Sequence, residues 1–229
     1  MDAHGRHLLK RNDLEHYLLT AVDWIKANRQ TALSIAAISA GVIIFAVFVI
    51  VRLHTAQGRA NDRLSMAQGR LYSGDIASGV SGLDEIIQKY AGTAAASQAR
   101  LLKADYLESQ KNFTAAAEMA RAVMADGKPK TIIPLAYMSL GNIQENAGDI
   151  KGAIATYTAF LDTYPDHFYA AKAYESLGRL HEFANEPGEA KSAYERLATM
   201  YPDTAWAQRA RERLSFLSST TAAQPVVQK

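Results

Sequence analysis

The chain has 229 residues, 48% of them hydrophobic, with 25 Lys+Arg against 23 Asp+Glu and no cysteine. That length holds one good core plus an accessory segment. The missing thiol excludes disulfides, thiolate metal sites, cysteine nucleophiles and a lipid-modified N-terminal Cys, and the near-neutral charge leaves no electrostatic footprint for nucleic acid.

Residues 1–30 read as an N-terminal flank. Within it, Asp13 to Arg29 places Leu14, Leu18, Ala21 and Ile25 on one helical face. Tyr17 and Trp24 would suit the headgroup level of a bilayer, and a plain helical extension of the next segment fits the same residues equally well.

From Thr31 to Val51 the sequence TALSIAAISAGVIIFAVFVIV carries no charge. As a helix rising 1.5 Å per residue it reaches roughly 31 Å, the thickness of a bilayer's hydrocarbon core. A buried soluble helix would show a polar stripe, and this one shows none. A cleaved signal peptide would have a shorter apolar run ending at a small-x-small site, whereas this run is followed by Arg52-Leu53-His54. The expectation is a transmembrane helix over 31–53.

Ala36 and Ala40, like Ala37 and Gly41, stand four residues apart, a spacing that would allow pairing of two copies into a homo-oligomer through the span; ordinary tolerance of small residues in lipid explains them too. Arg6, Lys10, Arg11, Lys26 and Arg29 before the span against Arg52, Arg59 and Arg63 after it favour an N-terminus inside.

A repeat fills the rest of the chain. Tyr164-Pro165 returns as Tyr201-Pro202, Leu140-Gly141 as Leu177-Gly178, Ala153 as Ala190 and Tyr157 as Tyr194, each 37 residues on. The turn Gly148-Asp149 corresponds to Asn185-Glu186 ahead, and to Lys111-Asn112 and Gly74-Asp75 behind. This register predicts an all-α domain over 57–217, with helix pairs at 62–98, 99–135, 136–172 and 173–209, a capping helix at 210–217, and a disordered tail at 218–229. Gly127 to Pro134 is the expected irregular joint.

The spacing Tyr137, Leu140, Gly141, Ala153, Tyr157, Phe160, Pro165, repeated as Tyr174, Leu177, Gly178, Ala190, Tyr194, Leu197, Pro202, resembles the tetratricopeptide repeat (TPR) consensus. The resemblance implies an α-solenoid in which small residues admit close helix approach and tyrosines fill the space between units. The first two units depart from it: Gly127-Lys128 and Tyr90-Ala91 stand where tyrosine and proline belong.

Catalytic and metal motifs are missing. His181-Glu182 lacks the second histidine of a H-E-x-x-H zinc site, and there is no phosphate loop, dinucleotide fingerprint or nucleophile elbow. Arg209, Arg211 and Arg213 are expected at the end of the last helix, where cations favour the dipole. The expectation is a non-enzyme with no cofactor and no metal.

What the resemblance implies instead is a binding groove lined by the first helix of each unit. Carrying groove positions over by register gives Asp105 and Glu108, then Asn142, Glu145 and Asn146, then Lys172, Glu175, Arg179, Glu182 and Phe183. The carboxylate clamp of chaperone-binding TPR domains is not supported, since Leu64 and Gln68 occupy its positions. Phe183 is the expected anchor, an aromatic on an open face.

The whole arrangement, with "DWIKANRQTALSIAAISAGVIIF" running into "RANDRLSMAQGRLY", resembles the bacterial inner-membrane TPR family that includes the ancillary subunit of the Sec translocon (YfgM-like). That resemblance implies a single-pass inner-membrane protein with a cytoplasmic N-terminus and a periplasmic TPR domain. Its implied partners are translocon components, periplasmic chaperones or envelope clients. The alternative is an architectural scaffold subunit of a stable membrane complex.

Overall fold

A computed structural model describes residues 16–222, which form ten α-helices and no strand. The chain divides into two compact units, Met1–Thr55 and Ala56–Lys229.

In the first unit, α1 covers residues 16–27 and α2 begins at Arg29. Hydrogen bonds from Asn28 N to Trp24 O and from Ala32 N to Asn28 O, both 2.9 Å, carry the helical pattern across the junction. Both readings of the flank expect a helix at these residues; Leu14 lies outside the described residues. The apolar stretch of α2 is unburied along its whole length. By length and composition this helix suffices to cross a membrane.

Helix α2 runs from Arg29 to Tyr72 without a break, 44 residues in all. The expected span at 31–53 and the expected start of the repeats at 57 therefore lie on one element rather than two. The reason is local: Arg52 to Asn61 contains no proline, and its lone glycine, Gly58, costs a helix only about 1 kcal/mol relative to alanine.

The second unit is a stack of helix pairs. Its second-position helices are α3 (Ile76–Lys89), α5 (Phe113–Asp126), α7 (Ile150–Thr163) and α9 (Pro187–Met200), each 14 residues long. Their starts keep the 37-residue interval read from the sequence.

The turn before each of them explains why. Gly74, Lys111, Gly148 and Asn185 all adopt positive φ, between 59° and 86°. The next residue caps the helix: Asp75, Asn112 and Asp149 accept hydrogen bonds from the backbone N–H of Ser78, Ala115 and Gly152. The fourth unit has Glu186 without a cap bond, followed by Pro187, whose fixed φ and missing N–H suit the first helical position.

The first-position helices after α2 are α4 (Ala94–Ser109), α6 (Ile133–Asn146) and α8 (Ala170–Phe183), and α10 (Ala205–Ala222) closes the stack. Each begins a few residues before the unit boundary expected from the repeat, because Thr93 and Thr204 already accept bonds from the opening turns and Pro134 opens α6. The interval from Ala94 to Ile133 is longer than that from Ile133 to Ala170. Its extra residues fall in the 127–132 joint, where Gly127 has φ 65° and the Lys128–Pro129 peptide is cis.

Helix α10 also corrects two expectations. It extends to Ala222, so 218–222 are helical; the remainder of the expected tail lies outside the described residues. Arg209, Arg211 and Arg213 fall in its first half rather than its last turn, so the dipole account does not apply to them.

The core follows the small-residue positions. Ala67, Ala104, Gly141 and Gly178 recur on the first helices, and Gly79, Ala116, Ala153 and Ala190 recur on the second; all eight are buried. In units three and four, the Tyr157 and Tyr194 rings lie over Gly141 and Gly178. In units one and two the tyrosine positions hold Leu83 and Ala120, packed in the same clusters as Ala67 and Ala104. Phe160, fully buried, contributes about 1.5–3 kcal/mol by the usual area relation.

Candidate functional site

The expected groove residues sit on α4, α6 and α8, and the structure links most of them from one first-position helix to the next. Glu108 on α4 accepts a hydrogen bond from Asn142 on α6 at 2.9 Å, and a second from Asn146. Glu145 on α6 accepts from Arg179 on α8. Glu175 on α8 accepts from Lys172 at 3.1 Å and from Arg209 Nε on α10 at 2.8 Å. Glu182 accepts from Tyr194 Oη at 2.6 Å and from Arg213 Nε at 3.1 Å.

Arg209 and Arg213 on α10 extend this face beyond the residues expected from the repeat, and for Arg209 the sequence carries a signal. Asn142 follows Glu108 by 34 residues, Arg179 follows Glu145 by 34, and Arg209 follows Glu175 by 34. One donor-to-carboxylate offset thus recurs across three junctions.

At Glu175 and Glu182 these contacts favour the charged form. The hydrogen bond from Arg213 holds Glu182 below its ordinary value of 4.5, against partial burial, with Tyr194 assisting. Burial pushes Glu175 up, but hydrogen bonds from Arg209 and Lys172 outweigh it and leave that group lowered as well. The phenols move the other way: burial first, then bonding to Glu182, raises Tyr194, and burial with the Glu145 charge raises Tyr157.

Between α6, α8 and α10 these side chains border a hollow of about 860 Å³. Arg179, Arg209, Arg213, Glu212 and Phe183 line it, with Ile150 and Leu180 among the apolar wall residues. Phe183 is 78% exposed at the end of α8.

Asp105 stands apart from this network. It borders a second hollow, of about 460 Å³, with Gln68, Gln98, Thr131 and Leu135. Partial desolvation, then the Glu108 charge, pushes its carboxyl up. Leu64, at the other clamp position, is a core residue, 5% exposed.

His181 is paired with Glu186 through Nδ1 at 2.7 Å. No group of three His, Cys, Asp or Glu is gathered to hold a metal ion among the described residues.

Stacked two-helix units with glycine-to-tyrosine contacts and a polar face along the first helices are the geometry of a TPR array, and a family model for a tetratricopeptide repeat-like domain matches residues 23–214. The chain belongs to that family. No curated protein matches it.

Among solved structures, this TPR protein is similar to the TPR-like repeats of a putative kinesin light chain from Podosopora anserina, at 12% identity over 73% of this chain and 89% of that one, TM-score 0.57. It is similar to a tetratricopeptide repeat protein from Parabacteroides merdae, at 13% identity over 71% and 61%, TM-score 0.60. A third likeness is to MamA from Desulfovibrio magneticus, at 14% identity over 72% and 97%, TM-score 0.52. At these identities the likeness shows the fold alone. TPR-type repeats are in general a protein-interaction fold, so the polar face of this TPR stack is the surface to examine for partners.

Proposed function

We propose that this protein is a membrane-anchored TPR module that binds protein segments without catalysis, working in secretion or envelope protein biogenesis beside the translocon. The N-terminus is cytoplasmic and the repeats face the periplasm. One observation carries the reading: an apolar, unburied stretch and the first repeat helix belong to the same continuous α2. The family match begins at residue 23, upstream of that stretch, so the stretch and the repeats belong to one matched region.

The mechanism is local concentration. An anchor confines the binding face to the membrane surface, so modest affinity for each segment is enough. Resemblance to the inner-membrane TPR family supplies the translocon as the neighbourhood.

The test places a photocrosslinking residue at Phe183 in cells and digests intact spheroplasts with protease. Crosslinks to Sec components, chaperones or translocating chains, with digestion of the repeats, support the reading. Full protection of the repeats, or the absence of any protein crosslink, overturns it.

A further inference from the structure

We propose that the hollow between α6, α8 and α10 takes an acidic side chain of an extended polypeptide segment, with a neighbouring large apolar side chain of that segment against Phe183. The proposal rests on the interaction reading above and specifies the chemistry of the partner.

Depth decides the charge that a partner meets. The side chains of Arg179, Arg209 and Arg213 are 56%, 52% and 47% accessible, whereas their partners Glu145, Glu175 and Glu182 are only 10%, 17% and 16% accessible. Each ion pair therefore turns its cation outwards and its anion inwards. Glu175 is shared by two cations, Arg209 and Lys172, which leaves an excess positive charge beside it.

A guanidinium has five N–H donors in a planar fork, and Arg179 spends a single nitrogen, Nη2, on Glu145. The rest of the Arg179 fork matches a carboxylate, for which arginine has bidentate geometry, while Arg209 and Arg213 already spend two nitrogens each on Glu175 and Glu182. Glu145, Glu175, Glu182 and the exposed Glu212 line the hollow together with the three arginines, so its charges nearly balance and depth alone puts the cations foremost. A basic segment would face those cations and find the three paired glutamates inward and already bonded. Phe183 supplies the apolar contact, and about 860 Å³ is room for more than one side chain.

The experiment uses the full chain in detergent micelles and three fluorescent, acetylated and amidated peptides that alternate Leu and Phe with Asp, Asn or Lys. Blocked ends remove the terminal carboxylate as a competing source. The Asp peptide is expected to bind roughly tenfold more tightly than the Asn peptide, the size of a charge-assisted hydrogen bond, and to weaken with added salt. Because Arg179→Gln alone strands Glu145, the variant is Glu145→Gln with Arg179→Gln. It should lower Asp-peptide affinity while leaving Asn-peptide affinity and the circular-dichroism melt unchanged, whereas Phe183→Ala should weaken both peptides.

Equal binding of the Asp and Asn peptides, or preference for the Lys peptide, overturns the acidic occupant and leaves the interaction module standing. No binding of any peptide while Phe183 still crosslinks to proteins in cells has the same meaning. Loss of both peptide binding and crosslinks fails the interaction reading itself.

Discussion

A Cβ placed on Gly178 would lie 2.5 Å from the Tyr194 ring, and the same contact recurs one repeat earlier, where a Cβ on Gly141 would lie 2.6 Å from the Tyr157 ring. Both rings are buried, so neither can swing into solvent to make room. Gly178→Ala should therefore cost about 1–3 kcal/mol through overpacking, despite the better helix propensity of alanine. Gly69, also inside a helix, has nothing within 4 Å of its would-be Cβ, and Gly69→Ala should stabilise by about 0.5–1 kcal/mol. Chemical unfolding followed by circular dichroism distinguishes the two signs.

Lys111 occupies with φ 59° the turn position that glycine fills at Gly74 and Gly148. A β-carbon is strained in that left-handed region and glycine is not, so Lys111→Gly should raise stability by about 0.5–1 kcal/mol. Gly148→Ala should lower it by about 1 kcal/mol, read from the same unfolding curves.

Glu182 joins α8 to α9 through Tyr194 and to α10 through Arg213. Its folded-state value lies below the ordinary 4.5, chiefly through the Arg213 hydrogen bond. A lowered carboxyl contributes stability that is complete above the unfolded value and is lost as pH falls through the folded one. Thermal midpoints of the native protein should therefore drop more steeply below pH 4.5 than those of Glu182→Gln. Parallel pH profiles for the two would refute the assignment.

Tyr157 is a raised acid, through burial first and the Glu145 charge second. Stability linked to a raised group is complete below its unfolded value, ordinarily 10, and is lost as pH rises through the folded value. Spectrophotometric titration should show the Tyr157 and Tyr194 phenols ionising above the ordinary phenol value of 10. Tyr157→Phe should blunt the alkaline loss of stability without its appearing near neutral pH.

Phe183 is the groove aromatic with little to lose on truncation. At 78% exposure, Phe183→Ala should change unfolding free energy by no more than about 0.5 kcal/mol. Its effect should appear in peptide affinity alone, which separates a binding role from a packing role.

Sequence and structure agree where the information is local. The turn pairs at Gly74-Asp75, Lys111-Asn112, Gly148-Asp149 and Asn185-Glu186 became positive-φ residues followed by helix starts, even in the two divergent units. A turn needs only a tolerated φ and a cap within a few residues, so the signal survives when the packing residues change. In the first unit the divergence is compensated in volume, alanine with leucine at Ala67 and Leu83 against glycine with tyrosine at Gly141 and Tyr157, whereas Ala104 and Ala120 in the second unit fill less.

Arg209 and Arg213 show the opposite case. Their position on α10 depends on where that helix starts, and an exposed helix start carries a weak pattern once the repeat ends. Helix-end chemistry suggested itself from composition, while their actual partners, Glu175 and Glu182, lie 34 and 31 residues away. Pairing at such separation shows only in the offset between helices, 34 residues from Glu175 to Arg209 as at the two junctions before it, and not in the periodicity of either helix.

The amino-acid sequence by itself determined the 37-residue period, the paired helices and the uncharged stretch from Thr31 to Val51, because turn geometry and apolar patterning act over a few residues. Only the tertiary structure decided that the expected groove residues bond to one another, and that glutamates lie inside and arginines outside. Depth and pairing are properties of helices brought side by side, and the charge that a partner meets depends on both.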